Sequence, residues 1–184
     1  MHARKAWLEG LSPRDNRSVP PLDYPLVYAL KATHPDLTVV LNGGLADLDA
    51  AAAHLGHVDG IMLGRAAYQN PELMIGVDPR FFGEPAPVAD AFEAVEVFAP
   101  TIARGLAAGA RLHDYTRHML GLFAGRPGAR AWRRILASEA VKPGAGLEVL
   151  SAALAEVSRA APAAAAAAPA REALSQVAPA ASAG

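Results

Sequence analysis

The sequence predicts an α/β unit, a portion of a parallel barrel, followed by an all-α helical domain and a disordered tail. Three observations carry that expectation. Leu41-Asn42-Gly43-Gly44 and Leu63-Gly64-Arg65 each follow a short apolar run, the pattern of a buried parallel strand whose carboxyl end presents backbone N–H groups. After Gly83-Glu84-Pro85-Ala86-Pro87 the strand pattern stops and helical stretches take over. From Ala160 to Gly184 alanine and proline dominate, and large apolar residues almost vanish.

The elements follow in order. His2 to Trp7 reads as the end of a strand running into a loop, and Gly10, Pro13, Asn16, Pro20 and Pro21 keep that loop irregular. Tyr24 to Thr33 is a short amphipathic helix, ended by His34-Pro35 because a residue before proline is pushed out of the helical region. Leu37 to Leu41 is a buried strand, Asp47 to Leu55 a helix with Asp47 as its N-cap, and Val58 to Leu63 the next strand. Arg65 to Asn70 opens another helix, followed by a short turn from Pro71 through Met74. Strand–helix alternation of this kind builds stacked βαβ units. Beyond Gly83 the expected helices are Val88 to Ala108, Leu112 to Phe123, Ala129 to Ala140 and Leu147 to Val157, with a turn at Gly125-Arg126-Pro127-Gly128. Pro162, Pro169 and Pro179 interrupt any long helix in the tail, which has no apolar face to offset its ordering entropy.

Composition narrows the function classes. The chain has 184 residues, fewer than the roughly 250 of a complete eight-unit barrel. A net charge of −1 provides no global field toward nucleic acid, so any such role rests on local clustering. The absence of cysteine excludes disulfides, thiolate metal sites and a cysteine proton donor within this chain. No apolar run approaches the roughly twenty residues of a membrane span and no signal-peptide pattern opens the chain, so a soluble cytoplasmic protein is expected.

Two groups of residues stand out chemically. At Asn42, Gly43 and Gly44 the missing Cβ atoms let the backbone approach an anion, and successive N–H groups form a nest. The helix beginning near Asp47 points its positive end the same way. Gly64 adds an approachable amide, and Arg65 an amide or a guanidinium fork. An ordinary strand-to-helix turn uses the same residues, so phosphate binding and a plain turn stand about even on this pattern alone. Between Arg117 and Lys142 lie Arg126, Arg130, Arg133 and Arg134 against a lone Glu139. Arg130, Arg133 and Arg134 fall at i, i+3 and i+4, on one helical face, with Trp132 opposite as a core residue. Such a stripe suits RNA phosphates, although charged runs commonly form a solvated face. His54, His57, His113 and His118 have no metal-ligand spacing and read as surface or cap residues.

The ordered strings carry more than any one of them. His2-Ala3-Arg4-Lys5-Ala6-Trp7-Leu8, Gly10-Leu11-Ser12-Pro13, Asn16-Arg17, Asn42-Gly43-Gly44, Val58-Asp59-Gly60-Ile61-Met62-Leu63-Gly64-Arg65 and Ala67-Tyr68-Gln69-Asn70-Pro71 come first. Met119-Leu120-Gly121-Leu122-Phe123, Pro127-Gly128-Ala129-Arg130 and Trp132-Arg133-Arg134 then follow. Together they resemble the tRNA-dihydrouridine synthases, specifically their A-type bacterial subfamily, across residues 1 to 157.

The resemblance implies an FMN-dependent enzyme that reduces D-loop uridines of tRNA, with NADPH reloading the flavin. It implies the last strands of a TIM (β/α)8 barrel over residues 1–82, a helical tRNA-binding domain over 83–159 and the tail over 160–184. His2, Asn42, Gly43, Gly44, Gly64 and Arg65 match the family's FMN-contacting positions, and Arg14, Arg17, Arg130 and Arg133 its tRNA-contacting ones. Neither metal nor membrane enters, and the full-length enzyme is expected to be a monomer. The match begins at what would be the sixth strand. The earlier strands, a flavin-contacting glutamine and lysine, and the proton-donating cysteine have no counterpart here, so the chain reads as a fragment without activity of its own. Arg4 and Lys5 sit where they would touch RNA or flavin phosphate, and the sequence does not decide between them. Two other readings remain: a non-catalytic RNA-binding helical module, and a piece of another FMN-dependent barrel oxidoreductase.

Overall fold

A strand needs a partner, and the partners here lie far apart in the chain. The computed structural model describes residues 1–7 and 9–175, with side chains described through residue 161. Its backbone divides into two compact units, Met1–Pro87 and a second beginning at Val88.

In the first unit β1 (Val40–Asn42) pairs in parallel with β2 (Gly60–Met62), placing Val40 opposite Gly60, Leu41 opposite Ile61 and Asn42 opposite Met62. On the other side of β1, His2 bridges Asn42, also in parallel. The Asn42 N–H donates to the Met1 carbonyl at 2.9 Å and the Ala3 N–H to the Asn42 carbonyl at 2.7 Å. Three parallel segments therefore end at one edge. Both strands are shorter than the runs expected, β1 covering Val40–Asn42 against Leu37–Leu41 and β2 Gly60–Met62 against Val58–Leu63. The Val39 N–H is taken by the Asp59 carboxylate at 2.7 Å rather than by a ladder carbonyl.

The helices of this unit begin where short polar side chains cap them. Asp23 accepts the Leu26 N–H at 3.1 Å and starts α1 (Tyr24–Thr33); Asp47 accepts the Ala50 N–H at 2.7 Å and starts α2 (Leu48–His54). Next, α3 (Arg65–Gln69) follows β2, and tighter and wider turns run over Pro71–Gly76 and Asp78–Phe82. Val27, Val39, Leu41, Val58 and Ala3 form the buried centre, with Leu22, Tyr24, Tyr28 and Ile61 packed on it.

The second unit is helical throughout its described elements: α4 (Ala91–Ala107), α5 (Leu112–Thr116), α6 (Ala129–Ser138) and α7 (Leu147–Ser175). A reciprocal cap sets the start of α4, later than Val88. Asp90 accepts the N–H groups of Phe92 and Glu93 at 2.8 and 3.0 Å, while the Glu93 carboxylate takes the Ala89 N–H at 2.6 Å. Trp132, Phe123, Ile102, Leu112, Leu136 and Val157 are fully buried in its core. The Phe123 and Trp132 rings meet edge to face, 4.8 Å between centroids.

Two expectations are corrected. The helix expected over Leu112 to Phe123 stops at Thr116, and successive turns carry the chain to Phe123. Within those turns the Met119 carbonyl accepts both the Leu122 N–H at 3.1 Å and the indole N–H of Trp132 at 3.0 Å. The tail expected to be disordered from Ala160 continues α7 as far as Ser175, across Pro162 and Pro169. Residues 176–184 of that expectation lie outside the described residues.

Candidate functional site

Parallel strands that end together bring their following loops together. His2, Asn42, Gly43, Gly44, Gly64 and Arg65, drawn from three chain segments, line one cavity of about 440 Å³. Arg17, Met62, Gln69 and Asn70 complete much of its wall.

Each lining residue is held by something specific. His2 accepts the Arg4 N–H at its Nδ1, 3.0 Å away, which leaves the ring proton on Nε2. Gly43 and Gly44 both have positive φ, +118° and +75°. A Cβ on Gly43 would lie 3.0 Å from His2 Cε1, and one on Gly44 would lie 2.5 Å from Leu22 Cδ1. Positive φ and these close approaches together favour glycine at both positions, and both line the cavity. The Asp47 carboxylate already occupies the amino end of α2, so the exposed Gly44, rather than the buried Gly43, remains as the approach for an anion. Asn70 Oδ1 is buried in the cavity wall without a hydrogen-bond partner among the described residues.

Arg65 does more than the sequence pattern indicates. Its guanidinium donates to the Arg17 carbonyl at 3.1 Å, tying the end of β2 to the first loop. That bond brings Arg17 to the cavity rim, whereas Arg14 is exposed just ahead of the turn Asp15–Arg17 and does not line the cavity. Arg4 and Lys5 are both engaged within the fold. Arg4 donates to the carbonyls of Ser18, at 2.9 Å, and Pro20, and Lys5 faces Asp23 at 3.8 Å. These two cations shape the loop. His54 and His57 are likewise absorbed into packing: Tyr28 stacks on His57 at 4.2 Å between centroids, and its hydroxyl contacts His54 Nδ1. Among the described residues no group of His, Asp and Glu is arranged to hold a metal ion, and no helix is long and apolar enough to cross a membrane.

In the second unit, α6 turns its Trp132 face inward and leaves Arg130, Arg133 and Arg134 exposed. With the Gly125–Gly128 turn these arginines line an open cavity of about 720 Å³. The acidic residue on that wall, Glu156, is paired with Arg159 at 2.5 Å, which leaves the surface basic. Farther along, Lys142 is neutralised by Glu139, and Arg111 donates to the Val141 carbonyl at 2.9 Å. The cationic feature is therefore the start of α6 rather than the whole stretch from Arg117 to Lys142.

Sequence reasoning missed Arg17 as a cavity residue, and missed Gln69, Asn70 and Tyr24. The first three needed the fold of the 10–21 loop and of α3, which no local pattern announces. Tyr24 was read only as a helix residue, yet its hydroxyl donates to the Gly43 carbonyl at 2.8 Å.

The family model for dihydrouridine synthase matches residues 1–158. A tRNA-dihydrouridine(20/20a) synthase of Vibrio parahaemolyticus is 55% identical over 157 residues, covering 85% of this chain and 48% of that relative. Its counterpart in Yersinia pestis is 54% identical over 158 residues, 86% of this chain and 46% of the relative. That of Escherichia coli K12 is 54% identical over 154 residues, 84% and 45% respectively. The chain thus spans about half the length of the curated relatives it matches. With the family pattern running through the whole first unit and most of the second, the chain belongs to the dihydrouridine synthase family.

Proposed function

We propose that this chain carries the cofactor-phosphate cavity and the tRNA-binding face of an FMN-dependent tRNA-dihydrouridine synthase. The family implies a TIM-barrel fold, and three parallel segments ending at one edge are consistent with part of such a barrel. The second unit is then the helical-bundle domain that grips tRNA. The relatives are named for dihydrouridine at tRNA positions 20 and 20a, and the same D-loop uridines are the proposed target here.

One observation carries the reading: six residues from three separate strand ends line a single cavity. The donor set suits FMN. Gly43 and Gly44 bring backbone to the cavity wall, a Cβ at either meeting the His2, Leu22 or Tyr24 side chains, His2 Nε2 and the Gly64 and Arg65 amides are donors, and the partnerless Asn70 Oδ1 suits a ribityl hydroxyl. When bound and reduced by NADPH, FMN supplies the hydride that reduces the uracil ring. The residues of this chain hold its phosphate and orient RNA through Arg14 and Arg17 on the first loop and Arg130 and Arg133 on α6. The chain contains no cysteine, so the proton donor that the family resemblance implies has no counterpart in it. We expect the purified chain with FMN, NADPH and unmodified tRNA to form no dihydrouridine; detection of product would overturn that expectation.

The test of the cavity is a titration of FMN, followed by fluorescence quenching, with inorganic phosphate as competitor. Saturable binding displaced by phosphate is expected, and absence of binding would sink the flavin reading. A second reading, a non-catalytic RNA-binding module, is favoured by the separate core and exposed arginines of the second unit. Salt-dependent tRNA binding without any bound flavin would select it.

A further inference from the structure

We propose that Tyr24 is the positioning residue of the glycine loop: its hydroxyl fixes the Gly43–Gly44 peptide so that the Gly44 N–H faces the cavity and reads phosphate. This rests on the flavin-phosphate reading above and names the residue that makes it selective.

A Gly-Gly peptide is the least constrained in the chain, since neither residue has a Cβ to bias its orientation. Both φ values here are positive, and nothing in the two residues themselves prevents the plane between them from flipping. The Tyr24 hydroxyl donates to the Gly43 carbonyl at 2.8 Å from a partly buried position. No cis bond is present among the described residues, so the C=O of Gly43 and the N–H of Gly44 point in opposite directions within one rigid plane. Anchoring the carbonyl on Tyr24 therefore directs the amide away from it. Gly44 lines the cavity and Tyr24 does not; the side opposite Tyr24 is the open one.

Tyr24 is itself rigidly placed. It is the first residue of α1 and precedes Pro25, whose ring favours that turn. The neighbouring Asp23 N–H donates to the Ala3 carbonyl at 2.8 Å, and the Asp23 carboxylate caps Leu26. The ring is backed by His54, 4.4 Å between centroids. The hydroxyl is thus set from the same strand end that carries His2, and α1 transmits that placement to the loop after β1.

The experiment compares FMN with riboflavin, which lacks the phosphate, on the wild-type chain and on Tyr24→Phe. Fluorescence quenching gives both dissociation constants, and thermal melting of each protein is recorded alongside. Tyr24→Phe keeps the ring and its packing. We expect FMN to weaken about tenfold, the scale of one hydrogen bond to a charged group, with riboflavin unchanged. An undiminished preference for FMN, or equal weakening of both flavins, would overturn the proposal. Should the variant fail to fold, the Gly44 amide of the 15N-labelled wild-type chain decides. Its resonance is expected to shift with FMN and with inorganic phosphate but not with riboflavin, and an unmoved resonance refutes the assignment. A wild-type chain that binds neither flavin refutes the cofactor reading instead, before Tyr24 is touched.

Discussion

Glycine positions separate into those that need a positive φ and those that also need the space. Gly125 and Gly128 close the same turn, with φ of +79° and +84°. A Cβ on Gly125 meets nothing within 4 Å, whereas one on Gly128 would lie 2.6 Å from the Val157 Cα and 3.0 Å from the Glu156 carbonyl on α7. Gly125→Ala should cost about 1 kcal/mol, the left-handed penalty alone. Gly128→Ala adds overpacking against backbone and should cost about 2–4 kcal/mol, measured by urea denaturation followed by circular dichroism. The turn was legible in the sequence; which glycine is locked was not, because Val157 approaches from a distant helix. The arginines beside this turn behave differently, since no packing depends on their heads. Arg130→Glu and Arg133→Glu should leave melting unchanged, weaken tRNA binding, and reduce the salt slope of log K by about 1 per phosphate contact removed. An unaltered slope would mean that α6 does not face RNA.

At the scale of elements, the sequence located most helices and strands but misjudged where they stop. Start sites with a capping aspartate are local and readable, as Asp47 before α2 demonstrates. Ends decided by distant partners are not: β1 begins only after Asp59 has taken the Val39 N–H. Asp59 is the hinge of a small network. Its carboxylate also pairs with Lys31 Nζ at 2.9 Å, and the same ammonium donates to the Pro35 and Leu37 carbonyls, so α1, β1 and the segment entering β2 are joined at one point. The Val39 N–H, and next the Lys31 ammonium, hold the Asp59 carboxyl below its ordinary range. A depressed folded-state value stabilises the fold above the ordinary carboxylate pKa, and the stabilisation fades as pH falls through the depressed one. Asp59→Asn should therefore lower the melting temperature at neutral pH and narrow the gap to wild type under strongly acidic conditions. A pH-independent difference between the two proteins would contradict the network.

For the molecule as a whole, the decisive contrast is between its two cores. The second unit encloses large rings and branched aliphatics, Trp132, Phe123, Ile102, Leu112 and Leu136, at 1% exposure or less. The first encloses mainly small residues around Leu41 and Val27, and its sheet remains open: Val40 and Met62 are 40% and 48% exposed, although strands in parallel sheets are ordinarily covered on both faces. The short strand runs and the long helical stretch are both legible in the sequence. It could not reveal how little of each strand finds a partner, since pairing depends on segments twenty and forty residues apart meeting at one edge. Buried apolar area sets most of the stability of each unit, so unfolding should proceed in two steps with the first unit opening earlier. The two tryptophans make this measurable, because Trp7 lies in the first unit, half-exposed, and Trp132 is buried in the second. In a Trp7→Phe, Tyr115→Phe variant the indole fluorescence reports the second unit alone, while near-ultraviolet tyrosine signals from Tyr24, Tyr28 and Tyr68 follow the first. Added FMN should raise the tyrosine transition and leave the tryptophan transition in place, since the glycine cavity belongs entirely to the first unit. A single coincident transition, shifted as one by FMN, would show that the two cores unfold as a cooperative whole.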